Sequence, residues 1–233
     1  MHKSWKILAA AAALAGAIAV PVSVLTRTAG AASVASRCLS IDGVLQYQSG
    51  TATCISDPST TAQPNVAKGI AEGSYAEADV GSGNTATANG AGSIADAALG
   101  DNATAVAHGA NTRAYALGNS ASTRVNGPGA QAYAQYGDNN HATANGPNSI
   151  AYALVANNDA TANGNSSYAY AYGNFDTSNA NGSSTHASVT GDNSTAAANG
   201  NGADATVTAN ESTATANGGC TVATSTDNTT VSC

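Results

Sequence analysis

The sequence predicts an all-β fold: a parallel β-solenoid, or β-roll, with two nine-residue strand units per 18-residue coil and disulfide-clamped caps at both ends. Three observations carry that expectation. Glycine, nearly always after asparagine, recurs at Gly90, Gly109, Gly127, Gly146, Gly164, Gly182, Gly200 and Gly218, at spacings of 18 or 19. A second series runs midway, at Gly100, Gly118, Gly137, Val155, Gly173, Gly191 and Ala209. Between these marks alanine alternates with small polar residues, as at Ala86/Ala88, Ala151/Ala153 and Ala214/Ala216. A fixed period this short is one coil per repeat, each coil burying its face against its neighbours only.

Residues 1–31 read as a secretory signal peptide. His2, Lys3 and Lys6 precede an apolar run over 7–25, and Ala29-Gly30-Ala31 offers a small-residue cleavage site. The run is also long enough for an uncleaved anchor. No second apolar span follows, so no transmembrane segment is expected after cleavage. Residues 32–65 read as an N-terminal cap and a linker. Leu39, Ile41, Val44, Leu45 and Tyr47 form the cap's apolar cluster, and Pro58 and Pro64 mark the linker. Residues 66–218 are the repeats, and residues 219–233 read as a capping hairpin around Thr226-Asp227-Asn228. The four cysteines flank the repeats, and four cysteines allow three connectivities. Cys38–Cys54 and Cys220–Cys233 are favoured because each closes a short loop at one end, in an exported chain where disulfides persist.

Within a repeat, alternation over five residues describes a strand with one face inward. The inward side chain is nearly always a methyl group, with Val125, Val189 and Val207 as larger substitutes. Alanine also favours helix, but glycine every ninth residue and threonine between the alanines do not. Glycine is expected to supply the positive φ of each corner, followed by turn formers such as Asp101-Asn102 and Asp192-Asn193. The two one-residue slips, near Gly100 and Gly137, are expected as corner bulges. A core of methyl groups is thin, so the expected stability comes from continuous backbone ladders and stacked asparagines.

The two outward faces differ. One carries short polar side chains such as Thr85/Thr87/Asn89 and Thr213/Thr215/Asn217. The other carries Tyr115, Leu117, Tyr133, Tyr136, Ile150, Tyr152, Leu154, Tyr168, Tyr170 and Tyr172, a contiguous stripe of the kind that marks an interaction surface. Three readings stand: self-association, recognition of a surface glycan or matrix by ring faces and hydroxyl tips, and cross-strand packing that stiffens the sheet.

The strings Gly92-Ser93-Ile94-Ala95-Asp96-Ala97 and Asn148-Ser149-Ile150-Ala151-Tyr152-Ala153, with the Ala-x-Ala-x-Gly units around them, resemble the heads of trimeric autotransporter adhesins. The resemblance spans residues 66–218. It implies a β-roll that assembles on a bacterial surface and binds host matrix. This chain departs from those heads in its longer unit, its terminal cysteines, and the lack of a coiled-coil stalk or C-terminal anchor segment within its 233 residues.

Composition and spacing narrow the chemistry. After residue 31 only Arg37, Lys68, Arg113 and Arg124 oppose fourteen acidic side chains, a balance that repels nucleic acid and anionic lipid. Turn acids recur only at Asp101, Asp138 and Asp192, too sparsely for stacked calcium sites, and no metal or cofactor is expected. His108, His141 and His186 sit on different coils, and no serine has a nucleophile pattern. The expectation is a secreted or cell-surface, non-enzymatic structural or adhesive repeat protein, or else a carbohydrate-binding module using the same tyrosine stripe.

Overall fold

The structure, a computed structural model, describes residues 35–233; the signal peptide expected over 1–31 lies outside them. The chain winds into a parallel β-solenoid with two facing sheets, one of twelve strands and one of ten. Ten coils stack, from Thr53–Ser56 and Val66–Ile70 to Thr221–Thr224 and Thr230–Ser232, two more than the Asn-Gly series spans. At ~4.8 Å per coil the rod is about 43 Å long. Alanines pair in register from coil to coil, Ala86 with Ala105 and Ala95 with Ala114. Their methyl groups meet between the sheets, fully buried, together with Val125, Val189 and Val207. No helix among the described residues is long and apolar enough to cross a membrane.

We call the twelve-stranded sheet the polar sheet and the ten-stranded one the tyrosine sheet. The chain leaves the polar sheet through the Asn-Gly corner and the tyrosine sheet through the far corner. At the N-terminal end, a hairpin of Arg37–Ile41 and Val44–Ser49 lies antiparallel on Val66–Ile70 and closes the polar sheet's edge. An open edge would template pairing with another chain. The expected apolar cluster does not form there, because Val44, Leu45 and Tyr47 point to solvent while Cys38 and Ser40 point inward. Cys38 bonds Cys54 across the core, from one sheet to the other. Gly69 stands where the next coil has Ala88, since a methyl group there would come within 2.6 Å of Cys38 Sγ.

Two expected boundaries are corrected. Residues 57–65 are a packed corner rather than a linker: the Ser59 and Asn65 amides both donate to Asp42 Oδ1 at 3.0 Å, and the Thr60 amide donates to Ser82 Oγ at 3.0 Å. Residues 219–233 are no hairpin. Thr221–Thr224 joins the tyrosine sheet and Thr230–Ser232 the polar sheet, each parallel to the strand before it. Val222 and Val231 continue the inward alternation, so the segment forms a last coil, closed by Cys220–Cys233.

The expected positive φ holds for part of the glycine beat, at Gly109, Gly118, Gly173, Gly200 and Gly218, and the rest of the beat has a different cause. Gly90, Gly127, Gly146, Gly164 and Gly182 are absent from the positive-φ residues. A methyl group on Gly146 would lie 2.0 Å from the Gly164 carbonyl oxygen, and one on Gly164 1.7 Å from that of Gly182. These glycines let successive coils approach, and the left-handed residue comes two places later, where asparagine and serine serve as well. Both slips are corner insertions, as expected. Asp79, Ala98 and Gln135 occupy regular positions, and the following Val80, Leu99 and Tyr136 are the additional residues of 10-residue half-coils. The Val80 insertion is a third, upstream of the two.

Asparagine ladders run along the rod. At the far corner an inward column includes Asn65, Asn84, Asn140 and Asn158, all buried. Each Oδ1 accepts the amide of the next coil, as from Ala103 to Asn84 at 2.9 Å and from Asp176 to Asn158 at 2.8 Å. Outside the same corner, Asp101 accepts the Ser82 amide at 2.8 Å and Asp192 that of Asn174 at 2.8 Å, while Asn119 and Asn210 do the same for Asp101 and Asp192. Either residue supplies the acceptor oxygen used at this turn position, which accounts for the sporadic turn acids. A third ladder on the polar sheet joins Asn126, Asn145, Asn163, Asn181 and Asn199. At the Asn-Gly corner, Ser93, Ser149 and Ser167 instead brace their own turns by donating to the carbonyl three residues earlier.

Asp176 stands in the inward column where other coils have asparagine, and it is 1% exposed. Its Oδ1 accepts the Ser194 amide at 2.9 Å, but its Oδ2 has no partner. A methyl group built on Gly173 would meet both Asp176 Oδ2 and Gly191 O, at 2.3 and 1.7 Å, so both oxygens face the same small space. Burial pushes the carboxyl up to about 6, the Ser194 amide opposing and Asp192 adding to the rise. A folded-state value above the ~3.9 of an unfolded aspartate gives stability that is fully present below pH ~4 and lost as pH rises through about 6. Asp176→Asn is expected to remove this loss and restore a donor to the carbonyls. Urea titrations at pH 4 and 7.5 check this: the variant gains on the order of 2 kcal/mol over the unaltered chain at the higher pH only.

Candidate interaction surface

The outer side of the tyrosine sheet is built from three in-register rows. The middle row runs Glu77, Asp96, Tyr115, Tyr133, Tyr152, Tyr170, Ser188. One flanking row holds Ile94, Arg113, Gln131, Ile150, Tyr168 and His186, and the other Leu117, Gln135, Leu154 and Tyr172. The structure therefore brings nine of the ten expected residues onto one face. Tyr136 is the exception: as an inserted residue it leaves the face and projects from the far corner, 79% exposed.

The rings stack on one another. Tyr115 and Tyr133 lie 5.3 Å apart at 5° between planes, and Tyr133 and Tyr152 4.7 Å apart at 8°. These separations match the coil spacing, so each ring covers its neighbour's face, and the Tyr133 hydroxyl donates to Gln131 Oε1 at 2.6 Å. Tyr152 meets Tyr170 edge-on at 63°, and Tyr170 stacks on Tyr172. Tyr168 stacks on His186, whose Nδ1 lies 3.2 Å from Asp204 Oδ1. Burial raises the hydroxyl pKa of Tyr115, Tyr152, Tyr168 and Tyr170, so all four stay neutral donors at physiological pH. Cross-strand packing is thus part of what the tyrosines do.

The row begins with acids that the sequence reading did not group. Tyr75 donates to Glu77 Oε2 at 2.6 Å, and Asp96 sits between Glu77 and Tyr115 in the row. Burial, then the charges of Glu77 and Asp79, pushes Asp96 up to about 6, and burial raises Asp79 as well. The alternation in 75–79 and 94–98 carries this signal, although the Asn-Gly series itself begins only at Gly90.

A second feature lies where the tyrosine sheet turns into the far corner. Leu99, Leu117, Gly118, Gln135, Tyr136 and Asp138 line a cavity of about 400 Å³. Its origin is the slip pattern. The coils of Leu99 and Tyr136 each carry an inserted residue, and the coil of Gly118 between them carries none, so two bulges flank a notch. Among known proteins the chain matches no family model, no curated protein and no solved structure.

Proposed function

We propose that this chain is an exported, non-enzymatic structural or adhesive surface protein, a stiff rod that associates with other copies through its tyrosine-bearing side. The observation that carries the reading is the asymmetry of the rod. Asparagine, aspartate and serine are tied into ladders that hold coil to coil, whereas one sheet gives four consecutive coils to aromatic and aliphatic side chains on its outer face. An apolar stripe on a solvent-facing sheet is the usual mark of an assembly surface. Two disulfides, one at each end, suit an oxidising compartment. The likeness to trimeric adhesin heads adds a precedent for β-rolls that work as oligomers.

Glycan recognition is the rival use of the same stripe, and the ring arrangement disfavours it, because sugars stack on open ring faces and these faces cover each other. The test replaces Tyr152, Tyr168, Tyr170 and Tyr172 together by serine. Sedimentation of the secreted chain is expected to give an oligomer that the variant loses, with the β spectrum kept and glycan-array retention unchanged. A monomeric unaltered chain, or retention on glycans that the variant abolishes, overturns the reading.

A further inference from the structure

The far corner carries large apolar side chains at left-handed backbone positions. Val80, Leu99 and Tyr136, the three inserted residues, are all left-handed, with φ of 41°, 60° and 64°. Phe175, the chain's single phenylalanine, is left-handed too, at φ 60°. Its turn position holds Asn102, Ser120, Asn139, Asn157, Asn193 or Glu211 in other coils. Apart from Ala71, the left-handed turn residues of the Asn-Gly corner are only glycine, asparagine or serine, as at Gly92, Asn111 and Ser166. Left-handed backbone disfavours β-branched and bulky residues, and solvent exposure disfavours apolar ones. Val80, Leu99, Tyr136 and Phe175 are nonetheless 53, 63, 79 and 62% exposed. Strain concentrated on one edge of a rod, at apolar side chains more than half exposed, marks a contact made outside the chain.

The edge holds both a knob and a hole. The notch between Leu99 and Tyr136 is lined mainly by apolar surface from Leu99, Leu117 and Tyr136, with Gln135 and Asp138 beside them, and is large enough for a phenyl ring. Phe175 projects from the same corner three coils further on, about 14 Å along the rod. We propose that two copies of this chain associate antiparallel along this edge, each inserting Phe175 into the notch of the other. A two-fold axis perpendicular to the rod, passing between the coils of Tyr136 and Val155, makes both insertions at once, as an isologous contact requires. Val80, Leu99, Tyr136, Tyr172 and Phe175 offer on the order of 500 Å² of exposed apolar surface per copy, and the polar turns between them bring the edge toward the ~800 Å² per partner of a stable dimer. The inference rests on the self-association reading and extends its contact from the flat sheet onto the adjoining corner.

Two variants test it without disturbing the coil. Phe175→Asn installs the residue that other coils use at that turn, and deletion of Tyr136 returns its coil to the nine-residue beat of its neighbour. By sedimentation equilibrium each is expected to weaken the dimer at least tenfold. Mixing them, so that an intact knob meets an intact notch, is expected to yield a heterodimer at least tenfold tighter than either variant's homodimer. Failure of the mixture to associate overturns the insertion. If Phe175→Asn remains dimeric while the four-tyrosine variant does not, the flat sheet is the interface, and this inference falls while self-association stands. A chain that is monomeric up to about 100 μM overturns both.

Discussion

Gly164→Ala is expected to destabilise the rod by about 3 kcal/mol, and Gly202→Ala by only about 1 kcal/mol. The methyl group at position 164 would sit 1.7 Å from the carbonyl oxygen of Gly182 and 2.3 Å from its carbonyl carbon. Those atoms are backbone in the next coil, which is itself stacked on the following one, so neither a rotamer change nor a local shift relieves the clash. At Gly202 the φ of 70° is left-handed, but nothing lies within 4 Å of the added methyl group. That substitution meets only the conformational preference, and asparagine there is expected to be nearly neutral. Urea midpoints followed by far-ultraviolet circular dichroism compare the two. Equal losses would show that the beat glycines serve turn conformation and not coil approach.

Asn158→Ala is expected to cost about 3 kcal/mol, measured in the same way. The Asn158 side chain accepts the Asp176 amide at 2.8 Å and donates to the carbonyls of Leu154 and Gly173, at a site 1% exposed. Truncation leaves a donor and two acceptors in a corner closed to solvent, and each orphaned group carries a desolvation cost of about 1–3 kcal/mol. Ala103 and Ala121 occupy the same column naturally, so the variant should fold and lose stability locally. Asn163→Ala is the control. Asn163 also bridges two coils, accepting from Asn145 and donating to Asn181 at 2.7 Å each, but on the exposed polar sheet. Water replaces those bonds, so a loss of about 0.5 kcal/mol or less is expected. A loss at Asn163 as large as at Asn158 would mean that the outer ladder bears the load.

Most of the coil was legible because its signals are local. Alanine at every second residue sets which face is inward, and this holds from Ala86 to Ala216 with Val125, Val189 and Val207 in the expected places. The disulfide partners followed from loop length. Less visible was what depends on the neighbouring coil. The reason for Gly164 lies in the Gly182 carbonyl, eighteen residues away, and no property of the turn itself reveals it. The final segment read as a hairpin because Thr226-Asp227-Asn228 is a turn signal, yet a corner and a hairpin use the same turn chemistry. Only pairing with the preceding strands separates them.

The interaction surface divides along the same line. The sequence placed nine of its residues on one face, since period-two alternation decides sidedness. It could not place Tyr136, because one extra residue in a corner moves a side chain off the sheet, and the slip was detectable only as a change of spacing. Nor could it show that the tyrosine faces are used up in stacking, which depends on the in-register coil spacing.

By itself, then, the order of residues determined a two-walled parallel coil with alanine inside, because strand alternation and a constant repeat length are properties of a single chain segment. The approach of one coil to the next decided the rest: which glycines are indispensable, which asparagines are buried, and where insertions leave a notch. Those are contacts between residues about eighteen positions apart, and their energies depend on distances that exist only once the rod is wound.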